Sequence, residues 1–245
     1  MAAAKHAPAD PALIDDLVAA NRILSNEGVV DGFGHVSVRH DTAGGVFLLA
    51  RSMAPGLVTA GDIMEYGSDG EPLGDDRRTA YVERFIHSEI YQALPQVRAV
   101  VHSHSPAVIP FGVTAAKLRP IYHMSSFLGS DVPVFEIRET GGEATDMLIR
   151  TPELGAALAQ SLGQGSVALM RGHGNVVVGG SLPEVVFRAI YTEANARLQA
   201  DALRLGDGSV TYLNDGEAAA ATATNARVLS RAWELWKAAA LGRIG

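Results

Sequence analysis

The stretch Ala99-Val100-Val101-His102-Ser103-His104-Ser105-Pro106 constrains this chain more than any other. Small and β-branched apolar residues read as a buried strand, and the strand runs straight into His-x-His. In an extended backbone, residues two apart point to the same side, so His102 and His104 place two imidazoles on one face at a strand end. Such a pair is a pincer for a divalent metal. Two unrelated histidines would give the same pattern, so a further ligand has to come from elsewhere in the chain.

That ligand is not a thiolate. The sequence has no cysteine, which leaves His, Asp and Glu as metal ligands and excludes disulfides. With 245 residues, 47% of them hydrophobic and 19% charged, the chain can bury a large core and reads as a single domain over 1–245, with residues 1–10 flexible. The net charge of −7 argues against a nucleic-acid partner. No apolar run is long enough to span a bilayer, and the alanine-rich start has no apolar segment of the kind a secretory signal needs. The expectation is a cytoplasmic protein with neither a membrane nor a nucleic-acid partner.

Asp10-Pro11 marks a capped helix start, and apolar residues at helical spacing carry that helix to Gly28. Gly32-Phe33-Gly34-His35 is a glycine turn opening a strand, either an anion cradle or a plain tight turn. A strand over 45–50 ends at Arg51-Ser52, where ligand-binding residues often sit but where a surface arginine reads equally well. Asp69-Gly70 suggests a hairpin between a strand at 63–66 and a short return strand. Residues 79–93 read as a helix with Glu83 and His87 on one face, leading directly into the His-x-His strand. A loop into a strand is expected over 118–123, a short strand over 132–136 and a helix over 151–162. A strand over 166–170 ends in Arg171-Gly172-His173-Gly174, and a long helix follows from the capping box Ser181-Leu182-Pro183-Glu184. Residues 206–224 read as a mobile loop, and 225–241 as a final helix carrying Arg231, Trp233 and Trp236. His173, held between two glycines at a strand end, has little local packing to satisfy and is the natural third ligand.

These pieces resemble the class II aldolase/adducin family: Gly34-His35-Val36-Ser37, Thr59-x-x-Asp62-Ile63, Glu83-Arg84-Phe85-x-His87, Val100-Val101-His102-Ser103-His104 and Arg171-Gly172-His173-Gly174. The resemblance implies an α/β fold of three α/β/α layers around a central, mostly antiparallel sheet. It implies a divalent metal on His102, His104 and His173, with Glu83 as the acid/base beside it. It also implies a homotetramer with active sites between subunits, to which Tyr191 or Arg231 would reach from a neighbour. Where sugar-phosphate aldolases of the family carry a serine pair that binds phosphate, this chain has Tyr81-Val82, so a phosphorylated sugar is not the expected substrate. Tyr81 to His87, Tyr122-His123-Met124, Thr145-Asp146-Met147-Leu148-Ile149 and Arg231-Ala232-Trp233-Glu234 are similar instead to the aromatic hydroxy-acid decarboxylase branch. That branch includes 3-hydroxy-2-methylpyridine-4,5-dicarboxylate decarboxylase and dihydroxyphthalate decarboxylases.

The chemistry expected from that likeness is non-oxidative decarboxylation of an ortho-hydroxylated aromatic carboxylate, a small-molecule acid. Breaking the C–C bond leaves an electron pair to be held as an enolate, which a divalent ion, manganese first and then zinc, iron or cobalt, can stabilise as a Lewis acid. Glu83 would carry the proton. Arg51, Ser52 and Arg231 are candidates for a second carboxylate, and His35 and His123 for a ring substituent. An aldolase or epimerase of an unphosphorylated hydroxy acid would use the same metal set. A non-catalytic adducin-like binding module would be expected to lose ligands that this chain keeps.

Overall fold

The computed structural model describes residues 6–206 and 209–242. Asp10 accepts the Ala12 N–H at 2.9 Å and opens α1 (Pro11–Asn26), with Pro11 at the first helical position. The glycine turn leads into an antiparallel meander of β1 (His35–Arg39), β2 (Phe47–Ala50) and β3 (Ile63–Tyr66). Next come α2 (Arg84–Ala93), β4 (Ala99–Ser103), the short α3 (Ile109–Val113), β5 (Val134–Phe135), α4 (Arg138–Gly141) and α5 (Pro152–Leu162). The chain then forms the pair β6 (Val167–Met170) and β7 (Gly174–Gly179), followed by α6 (Leu182–Leu205), α7 (Asp215–Ala226) and α8 (Leu229–Ala240).

Among the described residues the strands make one seven-stranded sheet in the order β3-β2-β1-β4-β7-β6-β5, antiparallel throughout except for β5 and β6. Alternation sorts side chains to two cores. Val36, Val38, Ala99, Val101 and Val177 pack with α1, α6 and α8, whereas Phe47, Leu49, Val100, Val176 and Val178 pack with α2 and α5. The result is the expected α/β/α layering around a mostly antiparallel sheet. It also fixes where polar side chains go. His35, Ser37 and His102 have the opposite parity to Val36, Val38 and Val101, so all three face the α2 and α5 layer, and His35 pairs with His102 in register across β1 and β4. Among the described residues no helix is long and apolar enough to cross a membrane.

Four expectations need correction. The helix over 79–93 starts only at Arg84, because residues 79–81 are tied to the neighbouring segment: Thr79 accepts the Ser52 N–H at 2.7 Å and the Tyr81 hydroxyl donates to the Met53 carbonyl at 2.5 Å. The expected return strand after Asp69-Gly70 is reduced to a single bridge between Tyr66 and Pro72. Residues 118–123 lead into a 3-10 turn at His123–Leu128 rather than a strand. Polar side chains of α6 take the place of a partner strand there: Asn195 accepts the Ile121 N–H and donates to the Arg119 carbonyl, and Gln199 accepts the Arg119 N–H. Finally, the loop expected over 206–224 contains most of α7, and the last helix begins at Leu229 rather than 225. Asn214 and Glu217 form a reciprocal capping box at 3.0 and 2.9 Å, and the alanines behind it are strong helix formers. Of the segment 1–10, residues 1–5 lie outside the described residues.

Candidate active site

β4 delivers His102 fully buried at its end, and the chain turning out of β4 brings His104 beside it, with ring centroids 5.0 Å apart. His173 arrives from the β6–β7 turn. Gly172 there has φ +63, a left-handed conformation, and a Cβ on Gly174 would run into the Ser103 carbonyl, so the turn can lie against the end of β4 only with glycine. His173 Nε2 ends 3.0 Å from His104 Nε2.

The outer nitrogens of two of these rings are engaged. His102 Nδ1 donates to the Asn175 carbonyl at 3.1 Å and His173 Nδ1 to the Met147 carbonyl at 2.9 Å. A neutral ring with its proton on Nδ1 turns an Nε2 lone pair inward. His102 Nε2 is buried and has no hydrogen-bond partner among the described residues. The inward lone pairs of His102 and His173 suit a shared cation.

Glu83 sits at the N-terminal edge of α2, one residue before its first turn, not on the helix face shared with His87. Its Oε1 accepts the Ile149 N–H at 2.9 Å, and its Oε2 lies 3.5 Å from His102 Nε2 and 3.6 Å from His173 Nε2. Burial pushes the Glu83 carboxyl upward, but positive charge on the His102 and His173 side of the site outweighs it and holds the group below the ordinary carboxylate range. Ligand atoms of Glu83, His102, His104 and His173 all lie within 4.8 Å of one another, a set that could hold a metal ion.

This cluster opens on a cavity of about 620 Å³ lined by Glu83, His104, His35, Ser52, Tyr81 and Leu148, with Phe33 and Val82 at its rim. Of the sequence candidates, His35 and Ser52 therefore reach the cavity. Arg51 does not line it: its Nε pairs with Asp62 at 2.7 Å, and Asp62 is held down to about 2 by the Thr59 hydroxyl and then Arg51. No lysine or arginine lines the cavity among the described residues. Tyr191 packs instead against Phe187, Tyr122 and Trp236, with His123 next to Tyr122, so these belong to an aromatic cluster of α6, α8 and the 3-10 turn. Arg231, on α8, influences Tyr191 there, not the cavity.

The sequence pointed to no role for Met147 and Ile149, whose backbone groups hold His173 and Glu83. Met147 has φ +70, the one such non-glycine residue among those described. The run Thr145 to Ile149 stood out only as a likeness, because a side-chain pattern cannot show which peptide groups a segment presents. A second cluster, His6, His40 and Glu65, also brings ligand atoms within 4.8 Å. It differs in chemistry: His40 Nδ1 accepts the N–H groups of Thr42 and Ala43 at 3.1 and 3.0 Å, which leaves the neutral ring's proton on Nε2, 3.6 Å from Glu65, and no lone pair for a metal.

The chain belongs to the class II aldolase and adducin family: residues 15–200 match the family described as Class II Aldolase and Adducin N-terminal domain. It is 42% identical to decarboxylase tropJ of Talaromyces stipitatus, over 87% of this chain and 88% of that one. It is 29% identical to the 3,4-dihydroxyphthalate decarboxylase of Arthrobacter keyseri, over 82% of each. An aldolase II superfamily protein from Pseudomonas syringae shares the fold with a TM-score of 0.78 at 21% identity, covering 96% of this chain and 94% of that one. The chain is an enzyme of the carbon–carbon lyases, on the carboxy-lyase side.

Proposed function

We propose that this enzyme decarboxylates an ortho-hydroxylated aromatic carboxylate, such as a dihydroxyphthalate or hydroxypyridine dicarboxylate, without oxidation and with the help of a divalent metal. The observation that carries the reading is the position of Glu83, whose Oε2 lies at the seam between the histidine cluster and the cavity. The residues fit a metal: His102 Nε2 is buried and unpartnered, and the Nδ1 bonds of His102 and His173 aim both Nε2 atoms inward. His102, His104 and His173 would hold the ion, manganese first and otherwise zinc, iron or cobalt. A divalent ion so held supplies Lewis acidity for the electron pair that C–C cleavage leaves behind.

Glu83, held as a carboxylate, takes the proton of the hydroxyl ortho to the leaving carboxylate and returns it to the ring carbon that bears that group. The ring is then a β-keto acid. Its C–C bond breaks to CO₂, the electron pair moves back through the ring to the oxygen, and solvent supplies the proton that oxygen regains. His35 and Ser52 contact ring substituents from the wall, while Tyr81, Leu148 and Phe33 present apolar surface to the ring and exclude water. The relatives named as decarboxylases support the reaction type, and Tyr81 in the position of a phosphate-binding serine supports an unphosphorylated acid. A homotetramer fits the exposed apolar residues Phe33, Val82 and Val113, with Tyr191, His123 and Arg231 available to a neighbour's site. Light scattering that reports a fully active monomer would exclude it.

The test is a panel of hydroxylated aromatic acids with CO₂ detection in D₂O. Deuterium should appear at the ring carbon that carried the carboxylate. Cleavage of an unphosphorylated hydroxy acid to an aldehyde, with no CO₂ from any aromatic acid, would establish the aldolase reading instead.

A further inference from the structure

Behind the cavity wall lies a line of buried polar groups that the chemistry above does not use. His35 Nδ1 is 2.7 Å from His87 Nε2, His87 Nδ1 is 2.6 Å from Ser37 Oγ, and Ser37 Oγ is 2.8 Å from the Tyr91 hydroxyl. The fold builds this line by two periodicities. Alternate residues of β1 turn His35 and Ser37 to one face, and one turn of α2 separates His87 from Tyr91. Relative exposures of 4% for His35, 0% for Ser37 and His87 and 5% for Tyr91 leave little water to satisfy these groups, so each depends on its neighbour.

Each link carries one proton, and Ser37 Oγ has no partner among the described residues besides His87 and Tyr91, so once Tyr91 donates to it, its own O–H must go to His87 and the rest follows. The Tyr91 end decides it. The Tyr91 O–H has two acceptors within reach, Ser37 Oγ at 2.8 Å and the Arg98 carbonyl at 3.5 Å. The Arg98 carbonyl already accepts the Arg39 N–H at 2.8 Å, and the longer contact is at the limit of a hydrogen bond. The Arg39 guanidinium lies 4.6 Å from the Tyr91 ring centre and favours the phenol as a donor. Tyr91 therefore donates to Ser37, Ser37 to His87 Nδ1, and His87 Nε2–H to His35 Nδ1. The proton of His35 is left on Nε2, which has no partner among the described residues, and His35 lines the cavity. Both rings stay neutral, because each is buried away from the water that would solvate a charge.

We infer that Tyr91, Ser37 and His87 are positioning residues that fix His35 as an Nε2–H donor toward the cavity, selecting substrates that present a carboxylate oxygen to it. The inference rests on reading this cavity as the decarboxylation site. Because no lysine or arginine lines that cavity among the described residues, a fixed neutral N–H is, with the Ser52 hydroxyl and the His104 ring, what the wall's side chains offer a substrate anion. His87 acts only through His35.

The zinc-loaded full chain, labelled with ¹⁵N-histidine, gives the ring tautomers by long-range ¹H–¹⁵N correlation, with salicylate as the probe ligand. His35 and His87 should both carry the proton on Nε2, and salicylate should move the His35 Nε2–H signal. His87→Glu replaces a donor with an acceptor, so it should turn His35 to the Nδ1–H form and weaken salicylate by about tenfold or more, the scale of one lost hydrogen bond. His87→Gln, which can still donate, should stay within about threefold. A wild-type His35 protonated on Nδ1 overturns the proposal, and this reading needs no variant to fold. So does a folded His87→Glu protein with unchanged tautomer and affinity, or salicylate that leaves the His35 signals unmoved. The expected tautomers and salicylate response, with no CO₂ released from any aromatic acid, would sink the decarboxylase reading and leave the donor array standing.

Discussion

The backbone N–H of Ile149 donates to Oε1 of Glu83 at 2.9 Å, and this bond divides the carboxylate between two tasks. Oε1 is anchored to the main chain, while Oε2 stands 3.5 Å from His102 Nε2 and 3.6 Å from His173 Nε2 at the cavity wall. Two residues earlier, the Met147 carbonyl accepts the His173 Nδ1–H at 2.9 Å. One short segment thus sets the acid/base candidate and a candidate metal ligand together. A shift of that segment would disturb both.

Glu83→Gln keeps the size of the side chain and an oxygen for the Ile149 N–H, but it cannot carry a proton. We expect bound metal and fold to persist while CO₂ release slows by roughly two to four orders of magnitude, the scale of losing a general acid–base group. Turnover at the wild-type rate would remove Glu83 from proton transfer whatever the substrate proves to be.

His173→Ala deletes one inward Nε2 and leaves His102 and His104 in place. The wild-type chain should retain about one divalent ion by elemental analysis, and the variant should lose it while its circular dichroism changes little. Chelation should lower the melting temperature of the wild type and leave that of the variant unmoved, because a ligand stabilises only a protein that binds it. Stoichiometric metal in the variant would take His173 out of the set.

Met147 carries its supporting carbonyl at φ +70. A β-branched residue tolerates that conformation less well than methionine, so Met147→Val should lower the melting temperature and loosen the hold on His173. Met147→Gly accepts the same backbone angle and should keep wild-type metal content. Thermal melts and metal analysis on the pair separate backbone geometry from side-chain packing; equal metal loss in both would assign the effect to the thioether.

The legible parts of this protein were those written in side-chain type and period. Alternation and apolar runs marked strands, Asp10 and the Ser181 box marked helix starts, and His-x-His with Gly-His-Gly marked three rings that the structure brings together, whereas the layering was expected only from the family resemblance. What stayed hidden was set by tertiary hydrogen bonds. Glu83 reads as a helix-face residue until Thr79 and Tyr81 are seen bound to the 52–53 segment. Arg51 reads as an anion ligand until Asp62 engages it. The α7 segment looked like loop because its alanines carry no apolar stripe, although Asn214 and Glu217 held the signal of a capped start.

The last prediction concerns His87, which faces His35 and Ser37 from β1 and Tyr91 from its own helix, with His102 and Glu83 beyond His35. Burial and His102 depress it to about 3 in the folded chain, against an ordinary value of 6.5. Between those values the unfolded chain binds the proton and the folded chain does not, so stability rises with pH across that window. The contribution is therefore fully present above 6.5 and is lost as pH falls from there toward 3. One such group gives a slope of at most about 1.4 kcal/mol per pH unit, and His35, shifted the same way by burial, adds to it. Urea denaturation at pH 7.5, 6.5, 5.5 and 4.5, as trial conditions with chelator present throughout, measures the slope. His87→Gln should flatten it below the ordinary histidine value and leave the plateau above it flat. Identical slopes in the two proteins would mean that His87 is not a group through which acid acts.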